Sequence, residues 1–178
     1  MADTDEHLAA RALKGHSQAF ATLVVRYEKK LFRLAANLLR RPDLAADAVQ
    51  DSFLSAYGAL NSFDPGRASF STWLYRITKN RCLNMLKQHR EITGADFSLV
   101  ASPSNPEHSA STREAIEALD RALDCLPEKQ RTAFLLAEVQ GLSLREVAQV
   151  EGVRQGTVKS RLSRARKQLR KALAPFER

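Results

Sequence analysis

The chain has 178 residues, 44% of them hydrophobic, with a formal net charge of +8 and an isoelectric point near 9.9. That balance fits one or two small globular domains with a polyanionic partner, nucleic acid first and a membrane surface second. No segment approaches the roughly 18 consecutive apolar residues that cross a bilayer, so membrane insertion is excluded and a soluble, cytoplasmic protein is expected.

Helical periodicity runs through nearly the whole sequence and no segment alternates strictly, so the expected fold is all-α. The first element to stand out spans Pro42 to Asp64, where the charged residues are Asp43, Asp47, Asp51 and Asp64, with no basic residue among them. The first three recur at i, i+4 and i+8 and form an acidic stripe on one helix of a basic protein. Like charges at that spacing oppose helix formation slightly. A basic protein partner would account for them; a solvated face with Asp favoured near the helix start is the alternative.

A second helix is expected from about Ser69 to Arg90. Phe70, Leu74, Ile77, Cys82 and Met85 gather on one side of it, and Trp73, Arg76, Asn80, Asn84 and Lys87 on another. The second face combines an aromatic ring, two amides and two cations, the mixture that stacks an unpaired base, bonds its edge and holds phosphates. Spacing alone leaves open whether Trp73 does this or caps the core.

Periodicity lapses between Thr93 and Thr112, TGADFSLVASPSNPEHSAST, where Ser, Pro and Asn crowd together as in a linker. The expected organisation is a helical domain over residues 1–92, a flexible linker over 93–113 and a second helical domain over 114–178.

In the second domain Ser143 and Glu146 have capping-box spacing, which starts a helix that breaks at Gly152. A further helix follows, with Val158, Leu162, Ala165, Leu169 and Leu173 on one stripe. This is the helix-turn-helix pattern, whose second helix enters the major groove. From Arg154 to Lys171 there are eight basic residues and no acidic one, whereas exposed helices without a partner usually mix signs. Lys159, Ser160, Ser163 and Arg164 sit early in this helix, where recognition helices present side chains to base edges.

Cys82 and Cys125 show no metal-ligand or paired spacing and read as small core residues. The four histidines, His7, His16, His89 and His108, are scattered, so no metal site, no cofactor and no catalytic cluster is expected. A stand-alone repressor using the same helix-turn-helix would leave the acidic stripe and the Trp73 face unexplained.

Three blocks, DLAADAVQDSFLSAYGALNSFDP, FSTWLYRITKNRCLNML and LPEKQRTAFLLAEVQGLSLREVAQVEGVRQGTVKSRLSRARKQL, cover almost the entire chain together with the linker. In order and spacing the sequence resembles the extracytoplasmic-function group of bacterial RNA polymerase sigma factors, made of a region-2 and a region-4 domain. One departure is Glu151, where the family usually has an apolar residue before the turn glycine.

The resemblance implies a dissociable promoter-specificity subunit without catalysis of its own. Its implied partners are core RNA polymerase, promoter DNA and an anti-sigma protein. It assigns Asp47, Gln50, Asp51 and Phe53 to the helix that docks on the clamp coiled coil of the largest polymerase subunit. Phe63 and Asp64 match the loop that receives a flipped −10 base. Trp73, Arg76, Asn80 and Asn84 match the helix that grips the opened strand, with Lys87 on the same face. Lys159, Ser160, Ser163 and Arg164 match the −35 reader, and Arg154, Thr157 and Arg161 complete that set. About 20 linker residues reach at most some 66–72 Å, while elements about 20 base pairs apart lie about 68 Å apart. The tether is therefore nearly taut unless polymerase fixes its path.

Overall fold

The structure, a computed structural model, describes residues 3–94 and 110–176 and contains no strand among them. Most of the segment expected as a linker lies outside the described residues. The chain forms two compact units.

The first unit comprises α1 (Asp5–Leu13), α2 (Ser17–Leu39), α3 (Pro42–Gly58) and α4 (Phe70–Thr93), with a single 3₁₀ turn at Leu60–Ser62. Its core is made by Leu23, Leu31, Leu34 and Leu38 of α2 against Phe70, Leu74 and Cys82 of α4, all fully buried. On α3 the core side is Ala45, Ala48, Ser52 and Ala56, small residues that let neighbouring helices approach closely. The Ser52 hydroxyl donates to the Ala48 carbonyl at 2.5 Å, which satisfies its burial. Ile77 and Met85 of the expected α4 stripe are half-buried, and Tyr75, Thr78 and Leu86 extend it.

Two devices start α4 at the expected place. The Ser69 hydroxyl accepts the Thr72 amide at 3.3 Å, and Glu6 of α1 accepts the Phe70 amide at 3.3 Å, so a carboxylate sits at the positive end of the helix. The helix ends at Gly94, where φ is 70°.

The helices that follow are α5 (Ala110–Asp124), α6 (Glu128–Phe134), which runs on as a π-helical turn over Leu135–Val139, then α7 (Leu144–Glu151) and α8 (Gln155–Leu173), and the second unit is built on α5, α6 and α8. Leu123 and Leu126 pack on Ala165 and Leu169, with Leu119, Ala122 and Phe134 closing the cluster. Asp124 pairs with Arg131 at 3.6 Å across the α5–α6 corner, both side chains largely buried. The capping box forms in full: the Glu146 amide donates to Ser143 Oγ at 3.3 Å, and the Ser143 amide donates back to Glu146 Oε2 at 2.8 Å. Glu151 is half-buried at the last position of α7, and Gly152 turns the chain with φ 68°.

One expectation fails here. Cys82 is buried, and burial pushes its thiol up to about 12, but Cys125 is exposed. Leu123 and Leu126 occupy the inward positions on either side of Cys125, which leaves it facing outward.

Candidate nucleic-acid and protein interfaces

The acidic stripe lies on α3, and the structure gives two of its members partners that the sequence window hid. Arg41, just before the helix, donates to both carboxylate oxygens of Asp43 at 2.9 and 2.6 Å. This hydrogen bonding holds the Asp43 carboxyl below its usual range. Arg81 of α4 pairs with Asp51 at 2.5 Å. Asp47 and Gln50 are exposed on the outer side of α3.

Phe53 is not on that outer side. It is 8% exposed and meets Phe20 edge-on, with ring centroids 6.4 Å apart. There it forms part of a groove of about 1120 Å³ between α2 and α3. Phe32, Leu54 and Tyr57 also line this groove and are 39%, 64% and 48% exposed, an apolar surface without a covering element among the described residues. Glu28, Lys29 and Arg33 add charge to its walls. Leu54 and Tyr57 were missed by sequence reasoning. The available signal was the presence of large apolar residues on α3 outside its small-residue core side.

The loop and helix expected to receive single-stranded DNA do come together. The rings of Phe63 and Trp73 lie 5.3 Å apart, and each also packs on the buried ring of Phe70, at 5.5 and 5.7 Å. Phe63 and Trp73 are half-buried, so Trp73 seals the core with one part of its surface and offers the rest outward. Arg76, Asn80, Asn84 and Lys87 are all exposed and continue from this pair along α4. Asp64 shapes the loop: its Oδ1 accepts the Gly66 amide at 2.9 Å and its Oδ2 pairs with Arg67 at 3.3 Å. At Gly66 an added Cβ would stand 3.1 Å from Asp64 Oδ1, so a side chain there would crowd this turn.

In the second unit the stripe expected on α8 is the buried one over most of its length: Val158, Leu162, Ala165 and Leu169 are at most 4% exposed, while Leu173 at the helix end is half-buried. Lys159, Ser160, Ser163 and Arg164 are exposed, as is Arg154 at the N-cap, while Thr157 and Arg161 are half-buried. The Ser160 hydroxyl donates to the Thr157 carbonyl at 2.9 Å, which leaves its oxygen available as an acceptor. The helix is not uncompensated throughout, because Arg166 pairs with Glu138 of the π turn at 2.5 Å. Among the described residues no His, Cys, Asp and Glu cluster could hold a metal, and no helix is long and apolar enough to cross a membrane.

Two family models match, Sigma-70 region 2 over residues 23–92 and Sigma-70, region 4 over residues 116–169. Curated relatives match nearly end to end. The ECF RNA polymerase sigma-E factor of Salmonella typhimurium is 37% identical, over 98% of this chain and 97% of the relative. That of Escherichia coli is 36% identical over the same shares. The RNA polymerase sigma-H factor of Pseudomonas aeruginosa is 35% identical, over 99% and 97%. Among solved structures, CnrH in complex with the cytosolic domain of CnrY matches with a TM-score of 0.74 at 29% identity, over 99% of this chain and 100% of that one. The sigma factor RpoE in complex with the anti-sigma factor NepR from Bartonella quintana matches with a TM-score of 0.76 at 28% identity, over 87% and 96%.

Proposed function

The chain belongs to the extracytoplasmic-function group of sigma-70 factors, and from that premise we propose how its residues divide the work of a promoter-specificity subunit. Such a subunit has no catalysis of its own: it binds core RNA polymerase, recognises promoter DNA and starts transcription. Residues 1–92 act as the region-2 domain and residues 114–178 as the region-4 domain. The protein works in the cytoplasm, where the polymerase is.

Core polymerase docks on the outer side of α3. Asp47 and Gln50 make the polar contacts, Asp51 contributes while paired to Arg81, and Phe53 supports the apolar groove from beneath. A helix of the partner bearing both apolar and basic side chains matches a surface that is apolar at Phe32, Leu54 and Tyr57 and acidic at Asp47.

The −10 strand is held along α4. An unpaired base stacks at the Phe63–Trp73 pair, the amides of Asn80 and Asn84 bond base edges, and Arg76 and Lys87 hold phosphates. Asp64 keeps the receiving loop in shape. On the other unit, Ser160, Ser163 and Arg164 of α8 read the −35 duplex in the major groove, with Arg154, Thr157, Lys159 and Arg161 along its edges.

The observation that carries this reading is the exposed row Arg76, Asn80, Asn84 and Lys87 leading away from the Phe63–Trp73 pair. A merely solvated helix face has no need of a half-exposed aromatic pair at its head. Control by an anti-sigma protein is part of the proposal, supported by the anti-sigma complex of the similar RpoE. Its site is the α2–α3 groove, in competition with polymerase. The test is to add the protein to core polymerase and map transcript starts; discrete promoter-directed starts support the reading, and core-like random initiation overturns it.

A further inference from the structure

The Glu138–Arg166 ion pair has no part in the reading above. Both Arg166 Nε and Nη2 donate to the same Glu138 oxygen, at 3.2 and 2.5 Å. Their side chains are 39% and 55% exposed, so the pair adds little to folding. Its location is the informative part. Glu138 stands in the π-helical turn Leu135–Val139, a wider turn than an α-helix makes and one that frequently marks functional positions.

At about 100° per residue, Arg166 lies on one flank of α8, next to the buried stripe. Ser160, Ser163 and Lys167 lie opposite that stripe, with Arg164 beside them. A recognition helix reads bases only while the correct face points into the groove, and rotating it by a fraction of a turn exchanges one row of side chains for another. The buried Val, Leu and Ala side chains set which side of α8 meets the core and leave only a small rotation open. A charged pair at the flank is directional.

We infer that Glu138 is a positioning residue for −35 recognition. By holding Arg166 it fixes the rotation of α8 about its own axis and withdraws Arg166 from phosphate contact. The duplex is then met by the face carrying Ser160, Ser163, Arg164 and Lys167. This inference rests on the reading of α8 as the −35 reader.

The test uses the full chain bound to core polymerase and measures closed-complex affinity on a fully duplex promoter. Affinity is followed against salt and compared between the selected −35 sequence and a scrambled one. Lys167→Ala is expected to reduce the steepness of log K against log salt by about 0.9, the loss of one phosphate contact, whereas Arg166→Ala leaves it unchanged. Glu138→Gln frees Arg166, so the slope steepens by about 0.9 and −35 discrimination falls about tenfold. The exchanged pair, Glu138→Arg with Arg166→Glu, restores discrimination that Glu138→Arg alone loses.

A slope loss for Arg166→Ala equal to that of Lys167→Ala overturns the inference. So does unchanged discrimination in Glu138→Gln, a conservative exposed change that the fold tolerates even if the exchanged pair does not. Arg164→Ala separates the two layers of argument. If it leaves −35 discrimination intact, the reading of α8 itself fails; if it abolishes discrimination while the Glu138 variants behave as the parent protein, only this inference fails.

Discussion

At single positions the chemistry of the fold makes sharp demands. Gly152 carries φ 68° in open space, with nothing within 4 Å of an added Cβ, so the obstacle to a side chain there is backbone strain alone. Gly152→Ala should therefore cost about 1–2 kcal/mol, the usual penalty for a left-handed alanine, measured as lost unfolding free energy. The two thiols should also part company. Burial keeps the Cys82 thiol protonated, its pKa pushed up to about 12, so its nucleophilic thiolate is scarce throughout the neutral range and well above it. Native protein at pH 8 should take up one alkylating group, at Cys125, and a second only after unfolding; two fast labels on folded protein would contradict the packing of α4. The sequence could not place Cys125, because it stands in the turn just after α5, where helical period no longer tells which way a side chain faces. The neighbours Leu123 and Leu126 decide it.

At the scale of helices, the α8 stripe was legible because a 3.6-residue period reports directly which side meets the core, and Val158, Leu162, Ala165 and Leu169 are that side. The capping box at Ser143 was legible because both of its partners lie within one turn. Ion pairs between helices were not. Asp51 and Arg81 are 30 residues apart, and Glu138 and Arg166 are 28 apart, beyond any local window. The α2–α3 groove was hidden for a related reason: each helix gives its most regular apolar side to the core, and the groove is assembled from what remains on two of them. These partners also sharpen the docking experiment. Asp47 is exposed and makes neither of the ion pairs that engage Asp43 and Asp51, so Asp47→Lys should weaken association with core polymerase at least about tenfold, as a reversed charge across an interface does, without altering the melting temperature. Asp51→Lys should do more damage and be harder to read, since it also sets a cation against Arg81. Co-sedimentation of Asp47→Lys with core enzyme at parental affinity would remove α3 from the interface.

At the scale of the whole molecule, the proposed division of work gives the two units different forms of DNA, and a matched pair of templates separates them. Changing Trp73 and Asn80 together to Ala should spare closed-complex capture and impair strand opening, because an unstacked base loses its ring and amide partners. Arg164→Ala should weaken capture by roughly 1–3 kcal/mol at one −35 position. A template with a pre-opened −10 bubble should rescue much of the first defect and little of the second, read as transcript yield relative to fully duplex template. Equal rescue of both variants would mean the helices have been given the wrong duties. Because Trp73 packs on Phe70 in the core, the double variant needs its melting curve measured first, and Asn80→Ala alone, at an exposed position, provides the same comparison if the fold weakens.

The chain contains one tryptophan, and it is Trp73. Its indole sits half-buried against Phe63 and Phe70 at the head of the α4 face. Emission excited to the red of the absorption of the three tyrosines is therefore a signal from one place, and no dye is needed to watch that place. A nucleobase settling on the ring should quench the emission, while unfolding should shift it to the red. With a short single strand in the cuvette, a dimming without a colour change would report occupancy, and a colour change would report loss of the aromatic cluster. Arrival of duplex at α8, on the other unit, should leave the lamp untouched.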